Sequence, residues 1–104
     1  MPQFIFAYHG GKTPENAEEG AAVMEAWKNW MGSMGAALVV PGNPVGLSKT
    51  VSQGGIAEDG GANPLSGYSV VEARDQAAAC DMARGCPMVV SGHGSVEVAE
   101  LVEM

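Results

Sequence analysis

Apolar residues in this chain gather in short runs at its two ends and middle, and one longer segment repeats them at a helical interval. Phe4-Ile5-Phe6-Ala7-Tyr8 is short, aromatic and β-branched and closes on His9-Gly10-Gly11, which predicts a strand. Its apolar residues do not alternate, so the expectation is a strand covered on both faces. Thr13-Pro14 then reads as a helix start, with threonine at the N-cap and proline at the first helical position. Glu15, Glu18 and Glu19 suit the positive end of the helix dipole. Val23, Trp27, Trp30 or Met31, and Met34 recur every three to four residues, and Gly32 and Gly35 bracket the stop.

Ala36 to Val40 predicts a second strand, ended by Pro41-Gly42-Asn43-Pro44. The glycine-rich stretch from Val45 to Ser66 holds at most a short edge strand at Lys49-Thr50-Val51-Ser52. Tyr68 to Glu72 predicts a third main strand, and Arg74 to Arg84 a second helix stopped by Gly85 and Pro87. Ser95 to Met104 predicts the last strand. Strand, helix, strand, strand, helix, strand is a split βαβ order, so the fold class expected is α+β, ferredoxin-like. Two helices cover one face of such a sheet. Apolar residues on the other face then call for a second copy, and a homodimer is expected.

Length makes residues 1–104 one domain, because two cores of half this size would each be marginal. Five basic and twelve acidic side chains give a net charge of −7, and no two basic residues are adjacent. That field repels a phosphate backbone and an anionic membrane surface, so neither nucleic acid nor membrane is an expected partner. No apolar stretch approaches the length of a membrane helix. The N-terminal apolar run has no basic residues ahead of it, and Cys80 and Cys86 read as reduced thiols; a cytoplasmic location is expected. Cys80 is expected on a packing face of its helix, and Cys86 nearer the surface.

Candidate chemistry is sparse. His9 ends the first strand before a Gly-Gly turn, a position that aims an imidazole into a cleft and suits proton transfer near neutrality. His93 lies in the turn Ser91 to Ser95. Two histidines without a cysteine pair at ligand spacing make no zinc motif, and no cofactor motif is present. Gly10-Gly11-Lys12-Thr13 lacks the Walker spacing but could cradle an anion at the helix start, with Lys12 as the contact. Trp27 and Trp30 are candidates for the apolar wall of a ligand cavity.

Several ordered segments carry a family likeness: Phe6-Ala7-Tyr8-His9-Gly10-Gly11, Gly42-Asn43-Pro44-Val45-Gly46, Asn63-Pro64-Leu65-Ser66-Gly67-Tyr68, Arg84-Gly85-Cys86-Pro87 and Gly94-Ser95-Val96-Glu97-Val98. Together they resemble one branch of the YCII-related family. The resemblance implies a ferredoxin-like chain that forms a dimeric α+β barrel. Some relatives act on small organic molecules, including dehalogenase-type lactone chemistry, through a histidine and an aspartate. His9 is the histidine here that fits such a role. Where many members carry Asp-Gly-Pro-Phe, this chain has Asp59-Gly60-Gly61-Ala62. The reading is a small-molecule-binding or enzyme-like protein, with acid–base elimination or isomerisation of a small organic acid as its chemistry. The alternative is a non-catalytic dimeric accessory module.

Overall fold

β1 (Gln3–Gly10) alternates strictly: Phe4, Phe6 and Tyr8 are buried, while Ile5, Ala7 and His9 between them are only partly covered. The strand thus has one packed face and one open face, which corrects the two-sided covering expected from its unbroken apolar run. In the computed structural model, which describes residues 1–104, α1 (Ala17–Met34), β2 (Leu38–Val40), β3 (Thr50–Ser52) and β4 (Gly55–Ala57) follow. They precede β5 (Leu65–Glu72), α2 (Gln76–Ala83), α3 (Pro87–Ser91) and β6 (Gly94–Glu100).

Four strands form one antiparallel sheet in the order β2-β5-β1-β6. β1 and β2 are joined through α1 and separated by β5, the split βαβ arrangement. Phe4, Phe6, Tyr8 and Val71 of the sheet share a single core with Trp30 of α1 and with Ala79 and Ala83 of α2. Phe6 and Trp30 stack with ring centroids 6.2 Å apart.

Closure into a barrel requires every strand to be paired on both sides. Here β2 and β6 are free edges, and β3 and β4 pair only with each other in a separate hairpin. The sheet is open, so the barrel expected from the sequence is not formed. Lys49 to Ser52 likewise adds no edge strand to the main sheet. The premise of the homodimer is corrected as well. Along β6, Val96 and Val98 pack inward while Ser95 and Glu97 take the other parity, and Gln3, His9 and Glu72 also lie on the open face. That face sets these polar residues beside Ile5, Ala7, Val70 and Ala99, so it is mixed and not uniformly apolar, and a second copy does not follow from it.

Helix boundaries shift for local reasons. Asn16, not Thr13, caps α1: its side-chain oxygen accepts the Glu19 N–H at 2.8 Å. Asp75 caps α2 by accepting from the Ala78 N–H, and that bond lowers the carboxyl's pKa. Capping at Asp75 turns Ala79 and Ala83 inward and leaves Cys80 exposed. Pro87, expected only to end a helix, opens α3, and Cys86 ahead of it is fully buried. The two cysteines therefore exchange the places expected of them; burial raises the Cys86 thiol's pKa. No helix is long and apolar enough to cross a membrane.

Candidate functional site

A cleft of about 480 Å³ opens between α1 and the β1–β5 end of the sheet. Tyr8 forms part of its floor, Val23, Met24, Trp27, Lys28 and Met31 of α1 line one wall, and the loop from Pro41 to Pro44 lines the other. Met88 of α3 reaches it from below the first strand's end, beside Gly10. Helical spacing explains the α1 wall: residues three and four apart share a face, so Met24, Trp27, Lys28 and Met31 lie together. Trp27 meets the Tyr8 ring edge-to-face at 5.1 Å, and Trp30 meets Trp27 at 5.5 Å, which fixes the indole that lines the cleft.

The opposite wall is held by close backbone approach. The Tyr68 N–H donates to the Asn43 carbonyl at 3.2 Å, and the Val45 N–H donates to the Ser66 carbonyl at 3.0 Å. Gly42 has φ +73, and a Cβ there would overlap the Tyr68 carbonyl. Gly67 is similarly confined, since its Cβ would sit 3.1 Å from the Asn43 carbonyl oxygen and 3.3 Å from the Tyr8 ring. An irregularity falls at the same level: Tyr8 pairs with Gly67 but His9 with Leu65, and the Ser66 hydroxyl donates to the Tyr8 carbonyl at 2.9 Å.

Below the cleft runs a short hydroxyl relay. Tyr8 Oη donates to Ser69 Oγ at 2.7 Å, and Ser69 Oγ donates to the Pro41 carbonyl at 2.7 Å. Ser69 is fully buried, so the relay satisfies groups that water does not reach. Burial pushes the Tyr8 phenol up to about 12, partly opposed by the Ser69 hydrogen bond and added to by the nearby Cys86 thiol.

Of the four residues proposed from the sequence, the fold brings one to this cleft. Trp27 lines it. Trp30 is only 7% exposed, donates its indole N–H to the Met82 carbonyl at 3.0 Å, and belongs to the core and to a shallower hollow beside Ser33 and Met34. Lys12 sits 3.6 Å from Glu15 and 3.3 Å from Glu19, ahead of the α1 start. His9 points to the open face, where its Nε2 lies 3.0 Å from Glu97 Oε1 and its Nδ1 3.0 Å from the Asn63 carbonyl. Its side chain is 12% exposed and that of Glu97 70%. Each ring nitrogen faces an acceptor, so both contacts are donated at once only by the imidazolium. No group of three or more His, Cys, Asp or Glu side chains is placed to hold a metal ion.

Lys28, Tyr8 and the Pro41–Pro44 loop were not singled out from the sequence. The turn signal at Pro41-Gly42-Asn43-Pro44 was visible, but its contact with β5 was not. The helical stripe puts Lys28 one turn from Met24 and Met31, but its lack of a carboxylate partner is a property of the fold.

No family model matches the chain. No curated protein matches it either. Among solved structures it is similar to 5-chloro-2-hydroxyhydroquinone dehydrochlorinase (TftG) from Burkholderia phenoliruptrix AC1100, solved in complex with 2,5-dihydroxybenzoquinone. The match has a TM-score of 0.59, covers 98% of this chain and 95% of that one, and has 12% identity. At that identity the likeness is one of fold. The YCII-related assignment is corrected accordingly: no family model supports it, the barrel it implied is not formed, and the fold shared with the dehydrochlorinase is what stands.

Proposed function

We propose that this protein binds a small, mainly apolar organic molecule in the cleft between α1 and the Pro41–Pro44 loop. The observation that carries this is the cleft itself: about 480 Å³, walled by Trp27, Met24, Met31 and Met88, with few polar groups among its lining residues. Concave, largely apolar sites with a few fixed polar groups are the usual form of small-molecule pockets. The fold shared with a dehydrochlorinase solved with a dihydroxybenzoquinone agrees with a planar, ring-sized ligand. Methionine-methyl NMR tests the reading directly. A panel of small aromatic and quinonoid compounds, 2,5-dihydroxybenzoquinone included, is expected to shift the Met24, Met31 and Met88 methyls together. If no compound moves them at millimolar concentration, the cleft is not a ligand site and the accessory-module reading replaces this one.

A second reading places acid–base chemistry on the open face. The contact between His9 and Glu97 at 3.0 Å supports it, since a carboxylate that orients an imidazole is a common proton-transfer pairing. Elimination or isomerisation of a small organic acid would then depend on His9 and Glu97 and not on Trp27. Turnover lost in both His9→Gln and Glu97→Gln and kept in Trp27→Ala supports it; turnover unaffected by His9→Gln removes it.

A further inference from the structure

Five cationic side chains serve this chain, against twelve acidic ones. Four are each within reach of a carboxylate: Lys12 with Glu15 and Glu19, Lys49 with Glu58 at 3.0 Å, Arg74 with Asp75 at 3.5 Å, and Arg84 with Asp81 at 3.7 Å. Lys28 alone has no such partner. In a chain with a large excess of carboxylates this is where chance pairing would be easiest to find. Lys28 is also the cation that lines the cleft, and none of the fifteen residues around that cleft is Asp or Glu. Met24 and Met31, one turn to either side of it on the helix, line the same cleft.

From this arrangement we infer that the cleft selects a monoanion: a ring-sized apolar body that carries one anionic oxygen group, carboxylate or phenolate, paired with the Lys28 ammonium. The inference rests on the cleft being a ligand site, as proposed above. Lys28 is exposed, so the contact is a solvated one worth a few-fold in affinity, added to what the apolar walls contribute. They also limit the ligand's charge. A polyanion such as a nucleotide would meet one lysine and then the field of a chain with net charge −7, and a cation would meet Lys28 itself.

The test compares two probes of the same shape, naphthalene-2-carboxylate and naphthalene-2-carboxamide, by calorimetry, with methionine-methyl NMR to place them. The carboxylate is expected to bind about threefold more tightly than the amide and to shift the Met24, Met31 and Met88 methyls. Lys28→Met should remove that preference, Lys28→Arg should keep most of it, and Lys49→Met should leave it unchanged. Raising salt should weaken the carboxylate and leave the amide unaltered. Equal binding of the two probes by the native chain, or a preference that survives Lys28→Met, overturns the monoanion inference while the cleft remains a ligand site. Failure of both probes to move the three methyls overturns the ligand site and the inference together. A thermal melt of Lys28→Met that matches the native chain shows that lost binding is not lost fold.

Discussion

Tyr8 and His9 are neighbours in sequence and face opposite sides of one strand, and their surroundings differ in kind. Tyr8 looks toward the helices, is nearly fully buried, and has its hydroxyl fixed by Ser69. His9 looks toward the open face and is paired with a glutamate that is mostly in solvent. On the first side a polar group is held by packing, so its hydrogen bond is specific and its ionisation is displaced. On the second side the Glu97 carboxylate is open to water and salt, which compete for its contact with His9. The difference is one of enclosure: the same strand fixes one polar group by packing and leaves its neighbour's partner in solvent.

Five experiments break or sharpen that contrast. The largest effect belongs to the packed face: Phe6→Ala should cost about 3–5 kcal/mol, read from the urea midpoint, whereas Ile5→Ala one position earlier should cost less than about half of that. Next comes the cleft wall. Gly42→Val should destabilise by about 1–3 kcal/mol and abolish ligand binding, because its side chain would collide with the Tyr68 carbonyl at a positive φ. Tyr8→Phe should cost about 1 kcal/mol at neutral pH, the worth of one buried hydrogen bond.

The same tyrosine gives a pH dependence with a definite sign. Its folded-state pKa, about 12, lies above the unfolded value near 10. Below pH 10 both states keep the proton and stability does not change on its account. Between pH 10 and 12 only the unfolded state loses it, so stability should fall across that window. Tyr8→Phe should flatten that part of the curve. The smallest effect belongs to the open face: a double-mutant cycle on His9 and Glu97 should return under about 1 kcal/mol and shrink further at high salt.

Much of the element order was legible because strands and helices announce themselves locally. The Phe4–Tyr8 run and the Trp27-Trp30-Met34 spacing needed no tertiary knowledge. Boundaries were less so. Asn16 followed by Glu19 is a cap signal in the sequence, but Thr13-Pro14 is the more familiar one and drew the start of α1 too early. The two-sided covering of β1 was misread because Ile5 and Ala7 are apolar yet lie on the open face, where flanking strands shield them only partly. Cys80 and Cys86 were exchanged because one residue of phase in α2 decides which side chain turns inward. Of the site, Trp27 was legible from the helix stripe. Lys28 was not, since what distinguishes it is the lack of a partner, a property of three-dimensional neighbours. The relay through Ser69 was beyond reach for the same reason: Tyr8, Pro41 and Ser69 lie far apart in sequence.

That relay has a direction. Ser69 owns one hydrogen and gives it to the Pro41 carbonyl, so it can only receive from Tyr8. Were Tyr8 to ionise, its phenolate would bid for the same hydrogen, and the Pro41 carbonyl would be left without a donor. Ionisation of the floor and attachment of the rim are thus wired in series. Tyrosine absorbance and Trp27 fluorescence should change together as the pH is raised, whereas independent transitions would show the two ends to be unconnected.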